Sequence, residues 1–221
     1  MKLKNGFDQL NYLVMPKRSV VVFDLGGVLI DWNPRYFYRT LFNGDEAAME
    51  KFLTTVCTPE WNEQQDAGRP FAEACALLKT KYPEQATLID AWLPGYPQML
   101  AGDIPGSVAI LAELRERGVP VYAITNWSAE TFPIALKRFE FLQWFRGVLV
   151  SGNEKLLKPD PRIFKLMFER FKIRPGDVVY VDDQPRNVNA AKALGMHGIR
   201  FTDPAALRQE LAQLNLLPSR E

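Results

Sequence analysis

The chain has 221 residues, 47% of them hydrophobic, and its formal net charge at neutral pH is +1. A near-zero charge without a basic block argues against nucleic acid as the main partner. No apolar run approaches the roughly 20 residues of a membrane span, and the N-terminus lacks a signal peptide's apolar core. Two cysteines, Cys57 and Cys75, cannot build a disulfide framework. We predict a cytoplasmic protein with reduced thiols, a monomer or homodimer, with no membrane or nucleic-acid partner.

The first clear element lies in residues 20–29, where an apolar, β-branched run precedes Asp24 and two glycines. Such a run predicts a strand that is buried on both faces and ends at Asp24. In an open parallel sheet the carboxyl ends of the strands form the ligand crevice, and a charge buried there needs a partner. We therefore expect Asp24 to be a working carboxylate.

Residues 34–104 carry helical patterns and no convincing strand. The helical stretches are residues 36–41, 46–57, 71–82 and 86–93. This region is either an extension of one larger domain or an all-helical cap inserted after the first strand, where it would lie over the crevice. We predict the cap, with residues 1–33 and 105–221 forming the core.

From residue 105 onward, predicted strands and helices alternate. The strands are residues 121–125, 147–150, 178–181 and 198–201, and helices lie between and after them. Helix starts are marked by Asp160-Pro161 and Asp203-Pro204, and Gly118 and Gly195 mark helix ends. This alternation predicts an α/β fold in which a parallel sheet has helices on both faces.

Polar residues follow four successive strands of this prediction. They are Asp24, Thr125-Asn126, Lys158 shortly after the third strand, and Asp182-Asp183. Each has a structural interpretation alone: a turn residue, a solvated loop charge or a helix cap. Together they supply a nucleophile, a hydroxyl or amide donor, a cation and an acidic pair at one edge of the sheet.

This set of groups fits phosphoryl transfer. A carboxylate such as Asp24 can attack phosphorus and form an aspartyl-phosphate. Because its charge must approach an anionic phosphate, a divalent cation and a lysine are needed. Oxygen ligands from Asp24, Asp183 and a backbone carbonyl suit Mg²⁺, while Thr125 and Lys158 can hold the phosphate oxygens. We also count Asn126 and Trp127 as substrate contacts and Asp182 among the metal ligands.

The ordered motifs resemble those of the haloacid dehalogenase-like hydrolase superfamily, and the resemblance spans roughly residues 19–203. The matching segments are Phe23-Asp24-Leu25-Gly26-Gly27-Val28, Ile124-Thr125-Asn126, Lys158-Pro159-Asp160-Pro161, and Tyr180-Val181-Asp182-Asp183 followed by Asn187. The resemblance implies a Rossmann-like core with a small helical cap, and dependence on Mg²⁺. It further implies that Asp24 is the nucleophile and that Asp183 and the Gly26 carbonyl are metal ligands.

Two positions depart from the family pattern. Phosphatases of this superfamily usually carry a second aspartate, a general acid and base, two residues after the nucleophile, and here that residue is Gly26. General acid–base help is typically worth about 10²–10⁴-fold in rate. Asn187 replaces a further acidic residue near the metal. Candidate replacements for the missing acid are Asp31, Asp182, a water on the metal, or a group from the cap.

Several other residues have both a functional and a structural interpretation. Those that could line the site or contact an anion are Trp32, Trp61, Tyr96, Arg35 and Arg69. The aromatic residues could equally form the core of the cap, and the arginines could be solvated surface. His197, the single histidine of the chain, is interpreted as structural.

The sequence favours a Mg²⁺-dependent phosphatase acting on a small phosphorylated metabolite, with sugar phosphates as one candidate class. The alternative is a 2-haloacid dehalogenase that uses the same aspartate to attack carbon. Gly26 fits that alternative because a leaving halide needs no proton. However, dehalogenases of this type dispense with metal and replace the acidic pair, so Asp182-Asp183 favours the phosphatase. A third possibility is a catalytically weak binding or regulatory member.

Overall fold

The computed structural model describes residues 18–218, so the parts of the predicted core formed by residues 1–17 and 219–221 lie outside the described residues. Within that range the strands are β1 (Val20–Phe23), β2 (Ile30–Trp32), β3 (Leu100–Asp103), β4 (Val121–Thr125), β5 (Val148–Val150), β6 (Val178–Asp182) and β7 (His197–Arg200). The helices before β4 are α1 (Arg35–Leu41), α2 (Glu46–Thr55), α3 (Pro59–Asp66), α4 (Phe71–Lys81), α5 (Ala86–Asp90), α6 (Trp92–Met99) and α7 (Pro105–Glu116). Those after it are α8 (Phe132–Arg138), α9 (Ser151–Glu154), α10 (Pro161–Phe171), α11 (Pro185–Ala193) and α12 (Pro204–Gln213).

Five strands form a parallel sheet in the order β5-β4-β1-β6-β7. β1 lies at its centre, with Val21 beside Val121 of β4 and Val22 beside Tyr180 of β6. All four residues of β1 and all five of β6 are buried, as continuous apolar runs require. This arrangement confirms the predicted α/β fold.

Each face of the sheet carries its own apolar layer. Val21 and Phe23 belong to one buried cluster, whereas Val20 and Val22 belong to another, because successive strand residues point to opposite faces. Helices α7 and α12 contribute to the first cluster, and α10 contributes to the second. The sheet is therefore covered on both faces, and its carboxyl edge is where polar groups can meet.

Helices α1 to α6 lie between β2 and β3, and we call them the cap. The expectation that residues 34–104 lack a strand is wrong at one place, because Leu100–Asp103 pairs antiparallel with Ile30–Trp32. Leu-Ala-Gly-Asp carries no alternating pattern, and it is a strand because a partner lies beside it. The two-stranded ribbon joins the cap to the core.

Helix α3 was also absent from the predicted helical stretches. Its residues, Pro-Glu-Trp-Asn-Glu-Gln-Gln-Asp, are mostly polar and give little apolar periodicity. A local signal was present, since Thr58 accepts a hydrogen bond from the Trp61 N–H and Pro59 occupies the first turn. None of the helices within residues 18–218 combines the length and apolarity needed to cross a membrane.

Candidate active site

The structure brings the polar strand ends together at the carboxyl edge of the sheet. Asp24 follows β1, Thr125 ends β4, Asp182 ends β6, and Lys158 lies in the loop between α9 and α10. A cavity of about 530 Å³, which we call the strand-end cavity, opens above them. Its core-side lining includes Asp24, Gly26, Gly27, Thr125, Asn126, Lys158, Asp183, Gln184, Arg186 and Asn187.

Lys158 lies at the centre of the polar cluster. Its side chain is 1% exposed, and Nζ lies 2.9 Å from Oδ2 of Asp24 and 2.8 Å from Oδ2 of Asp182. Burial disfavours the ammonium, but the two carboxylates outweigh it and raise the pKa of Lys158. Lys158 therefore stays charged next to the carboxylate predicted to be the nucleophile.

Asp182 is fully buried and its two oxygens are already engaged. Oδ1 accepts hydrogen bonds from the Gln184 N–H and the Asn187 amide, and Oδ2 accepts from Lys158, the Tyr180 hydroxyl and the same amide. Burial alone would raise the pKa of Asp182, but the Lys158 charge and these hydrogen bonds hold it below its usual value. Asp182 is an anion that anchors Lys158.

The backbone of Lys158 is held as firmly as its side chain. The Asn126 Oδ1 accepts a 2.8 Å hydrogen bond from the Lys158 N–H, and the Asn126 Nδ2 donates to the Lys158 carbonyl at 3.0 Å. The bond from Lys158 to Pro159 is cis. The Asn126 amide, predicted to contact substrate, is thus committed to the lysine loop, although the residue also lines the cavity.

The loop after β1 carries Asp24 and then two glycines with different environments. Gly27 has φ +73°, and a Cβ there would lie 3.1 Å from Oδ2 of Asp183, so both backbone and space favour glycine. A Cβ on Gly26 would meet nothing within 4 Å. The close approach of Gly27 brings Asp183 against the nucleophile loop.

The residues at this edge form an acidic cluster that suits a divalent cation. Oxygens of Asp24, Asp182 and Asp183 lie within 4.8 Å of one another. Burial raises the pKa of Asp24 to about 7, with Lys158 opposing the shift, and burial also raises the pKa of Asp183. When all three carboxyl groups are ionised, the single charge of Lys158 leaves two negative charges unbalanced. An all-oxygen donor set with this excess charge is what Mg²⁺ prefers.

Helix α3 of the cap forms the opposite wall of the strand-end cavity. Its lining residues are Pro59, Glu60, Glu63 and Asp66. Glu63 forms an ion pair with Arg186 of the core at 2.8 Å. The Ser151 hydroxyl donates a 2.6 Å hydrogen bond to the Asp66 carbonyl. These contacts hold the cap against the core on the side of the nucleophile.

A side recess of about 70 Å³ adjoins the strand-end cavity between cap and core. Its lining residues are Gly26, Trp32, Asn62, Asp66, Tyr96, Asn126 and Trp127. Three of the four aromatic residues considered from the sequence therefore reach this space, whereas Trp61 packs in the cap against Phe71 and Trp92.

Other residues considered from the sequence lie elsewhere. Arg35 pairs with Glu50 within the cap, and Arg69 donates to the Gln65 side chain. Asp31 accepts from the Tyr36 hydroxyl and is not among the residues lining either cavity. Sequence reasoning missed Asp66, which is a carboxyl group that lines both cavities. The Thr58-Pro59 helix start was the signal that could have placed it.

Comparisons with known proteins show the family of the chain. The family model for haloacid dehalogenase-like hydrolases matches residues 19–195. The sesquiterpene phosphatase astK of Aspergillus oryzae is 31% identical over 89% of this chain and 96% of its own length. The (S)-2-haloacid dehalogenase 1 of a Pseudomonas strain is 24% identical over 61% of this chain and 62% of its own. Some other relatives are much longer, and the chain spans 19% of them.

Solved structures give the same result. The enzyme BT-2542 of Bacteroides thetaiotaomicron, solved with magnesium and inorganic phosphate, superposes with a TM-score of 0.64 and 25% identity. The match covers 84% of this chain and 94% of that one. The phosphatase and dehalogenase relatives together leave the reaction to be argued from the site. The chain belongs to the haloacid dehalogenase-like hydrolase family and is a hydrolase.

Proposed function

We propose that this protein is a Mg²⁺-dependent phosphatase that hydrolyses a small phosphorylated metabolite through an aspartyl-phosphate on Asp24. The observation that carries the proposal is the cluster of Asp24, Asp182 and Asp183 within 4.8 Å. A site with two unbalanced negative charges would repel a substrate anion unless a cation joins it. Phosphoryl transfer uses both the carboxylate and the cation.

In the proposed reaction, an oxygen of Asp24 attacks the phosphorus of the substrate. The bond from phosphorus to Asp24 forms while the bond to the leaving oxygen breaks, and that oxygen must receive a proton. Water then attacks phosphorus and loses a proton, the bond to Asp24 breaks, and inorganic phosphate leaves. Asp24 returns as a carboxylate, so the cycle is closed.

The neighbouring side chains hold the reacting groups. Lys158 lies 2.9 Å from Asp24 and is placed to balance charge on the transferred phosphoryl group. Thr125, which lines the same cavity, offers a hydroxyl to a phosphate oxygen. Asn126 fixes the Lys158 backbone, and we assign it a positioning role. Trp127 lines the side recess, where it is placed to contact the leaving group.

The metal ligands in this proposal are Asp24, Asp183 and the carbonyl of Gly26. Asp182 is left out of the set, because Lys158, Tyr180 and other donors already occupy both of its oxygens. A bound Mg²⁺ supplies charge neutralisation, which lets the Asp24 carboxylate approach a phosphate anion.

The dehalogenase alternative keeps one supporting observation, which is Gly26. A halide leaves without a proton, so a site that lacks the second aspartate would suit it. Against this, Asp183 would remain next to the nucleophile with a 2.7 Å hydrogen bond from the Gln184 amide, and no lysine or arginine within residues 18–218 forms an ion pair with it. We therefore rank the phosphatase first.

The proposal is tested by phosphate release from p-nitrophenyl phosphate with Mg²⁺ and with a chelator. We expect activity in Mg²⁺, its loss in the chelator, and its loss in Asp24→Asn. Asp103→Asn, an exposed carboxylate on β3, is the matched control and should keep activity. Halide release from 2-chloropropionate in the chelator would select the dehalogenase. Inactivity in both assays would favour the binding or regulatory protein.

A further inference from the structure

We propose that Asp66, at the end of cap helix α3, supplies the proton that the glycine at position 26 cannot. This inference rests on the proposed phosphatase function and names the general acid and base of that reaction. The family pattern implies no acid here, because the residue that would serve lies in the core and is glycine. The cap delivers it instead.

Asp66 and Gly26 lie on opposite sides of the same space. Gly26 and Asp66 both line the strand-end cavity and both line the side recess. They therefore border the same continuous space, one from the core loop and one from the cap. A leaving group that extends from a phosphate near Asp24 toward the recess passes between them. A carboxyl at Asp66 thus borders the space that a side chain at position 26 would enter.

Contacts from both the cap and the core hold Asp66 in place. Its Oδ2 accepts a 3.1 Å hydrogen bond from the Asn62 amide, one turn earlier on α3. Its carbonyl accepts from the Ser151 hydroxyl of the core, and Ser151 also accepts from the Trp127 N–H. The loop that carries Thr125 and the end of α3 are therefore tied through one serine. The Asn62 amide donates to one oxygen and the Ser128 N–H also bonds to the carboxyl, and the four lone-pair positions of a carboxylate leave room for a leaving group.

The charged groups around Asp66 are consistent with a carboxyl that exchanges a proton near neutral pH. Burial raises its pKa to about 7, the nearby Glu63 adds to the shift, and the Ser128 N–H opposes it. Glu63 is itself paired with Arg186, and the Asp66 carboxylate is near enough to Tyr96 of α6 to help raise the pKa of that hydroxyl. A general acid works best when its pKa lies near the working pH.

The other candidate acids are placed less well. Asp31 is bound by the Tyr36 hydroxyl and lines neither cavity. Asp182 is ionised, fully buried and engaged by Lys158. Glu63 is paired with Arg186. Among the carboxyl groups of the cap, Asp66 is the one that borders both spaces.

The proposed proton transfers balance over one turnover. Protonated Asp66 gives its proton to the leaving oxygen as the bond to phosphorus breaks, and the alcohol departs. Asp66, now a carboxylate, takes a proton from the water that attacks the phosphorus bonded to Asp24. The carboxyl is protonated again when phosphate leaves, so no further donor is required.

The test compares two leaving groups in Asp66→Asn. We expect kcat/KM for glycerol 2-phosphate to fall by about 10²–10⁴-fold, because its alkoxide needs a proton. We expect kcat/KM for p-nitrophenyl phosphate to fall by less than about 10-fold, because nitrophenolate barely needs one. Asp31→Asn is the matched control and should leave both values unchanged. An equal loss on both substrates, or no loss on either, would overturn the proposal.

A rescue experiment separates chemistry from folding. A side chain fits at position 26, since a Cβ there meets nothing within 4 Å. We expect Gly26→Asp to restore hydrolysis of glycerol 2-phosphate in the Asp66→Asn background. Recovery cannot come from a misfolded variant, and failure of the rescue in a variant with wild-type thermal stability would count against the proposal. If p-nitrophenyl phosphate is cleaved through Asp24 but these results fail, only the role of Asp66 is lost.

Discussion

The edge of the sheet and the cap wall that faces it differ in how their polar groups are held. At the sheet edge, Lys158 contacts Asp24 and Asp182 within 2.9 Å and is 1% exposed. Across the cavity, the cap meets the core through the Glu63–Arg186 pair, whose side chains are 34% and 57% exposed. Removing one partner of a buried charge pair lowers protein stability by about 3–5 kcal/mol, whereas breaking an exposed pair lowers it by about 1 kcal/mol or less. The contacts at the core edge are therefore expected to stay in place, whereas the exposed contact between the cap and the core can break at little cost.

Replacing Lys158 with methionine should break the core edge and have the largest effect. We expect the free energy of unfolding to fall by about 3–5 kcal/mol, because two buried carboxylates lose their counter-charge. We expect kcat for p-nitrophenyl phosphate to fall by at least about 10²-fold, since a donor to the phosphoryl group is lost. Urea unfolding and steady-state kinetics measure both. Lys165→Met, on the exposed side of α10, should change neither, and an unaltered Lys158→Met protein would contradict the described contacts.

The two adjacent aspartates should respond differently to substitution. Asp182→Asn should lower the free energy of unfolding by about 1–3 kcal/mol, because it disturbs a buried set of hydrogen bonds. Asp183→Asn should instead raise the Mg²⁺ concentration for half-maximal activity by at least about 10-fold, because a proposed direct ligand is lost and even a residue that only orients a ligand is worth about 10–100-fold in metal affinity. Chemical unfolding and a Mg²⁺ titration of each variant distinguish them. The same response in both would refute the division of roles.

The two glycines offer a smaller, matched test. Gly27→Ala should cost about 1–2 kcal/mol in the free energy of unfolding, because φ is +73° and the new Cβ would lie 3.1 Å from Asp183. Because Asp183 must shift, its Mg²⁺ requirement should also rise. Gly26→Ala places a Cβ in open space and should leave the Mg²⁺ requirement unchanged. Thermal unfolding with a Mg²⁺ titration checks the pair, and equal effects would argue against the close contact.

The smallest effect is expected at the cap wall. Glu63→Gln and Arg186→Gln should show a coupling energy of about 0.2–1 kcal/mol in a double-mutant cycle on substrate binding, which is less than about 5-fold in KM. The coupling should shrink in high salt because the pair is exposed. A coupling energy of about 3–5 kcal/mol, as large as the stability loss expected for Lys158→Met, would contradict the contrast between the two regions.

Much of the core could be predicted from local pattern. Val20 to Phe23 and Val178 to Val181 are continuous apolar runs, which only a strand buried on both faces accommodates. Because parallel strands present their carboxyl ends at one edge, Asp24 and the other polar strand ends were expected to lie near each other. The sequence could not separate Asp182 from Asp183. Adjacent residues at a strand end point in opposite directions, and only the structure reveals that Asp182 faces Lys158.

The cap was harder to predict because its elements depend on distant partners. β3 is a strand through its pairing with β2, about 70 residues earlier in the chain. Helix α3 is mostly polar, since one side borders a cavity and Trp61 is the large apolar residue that it packs into the cap. Asp66 acquires chemical meaning only from its hydrogen bond with Ser151 and from the two cavities that it lines together with Gly26, and no sequence spacing encodes that arrangement.

The ribbon of β2 and β3 has a consequence for turnover. Both chain passages between the cap and the core run side by side through it, so a cap whose other contacts with the core had broken would swing about that line. Such a swing separates Asp66 from Ser151 but leaves every contact of Lys158 intact. In an open molecule, Asp24 would keep its contact with Lys158, while Asp66, the proposed proton donor, would move away from it. Alkyl phosphates would then react only when the cap is closed over the core, which also keeps bulk water away from the aspartyl-phosphate.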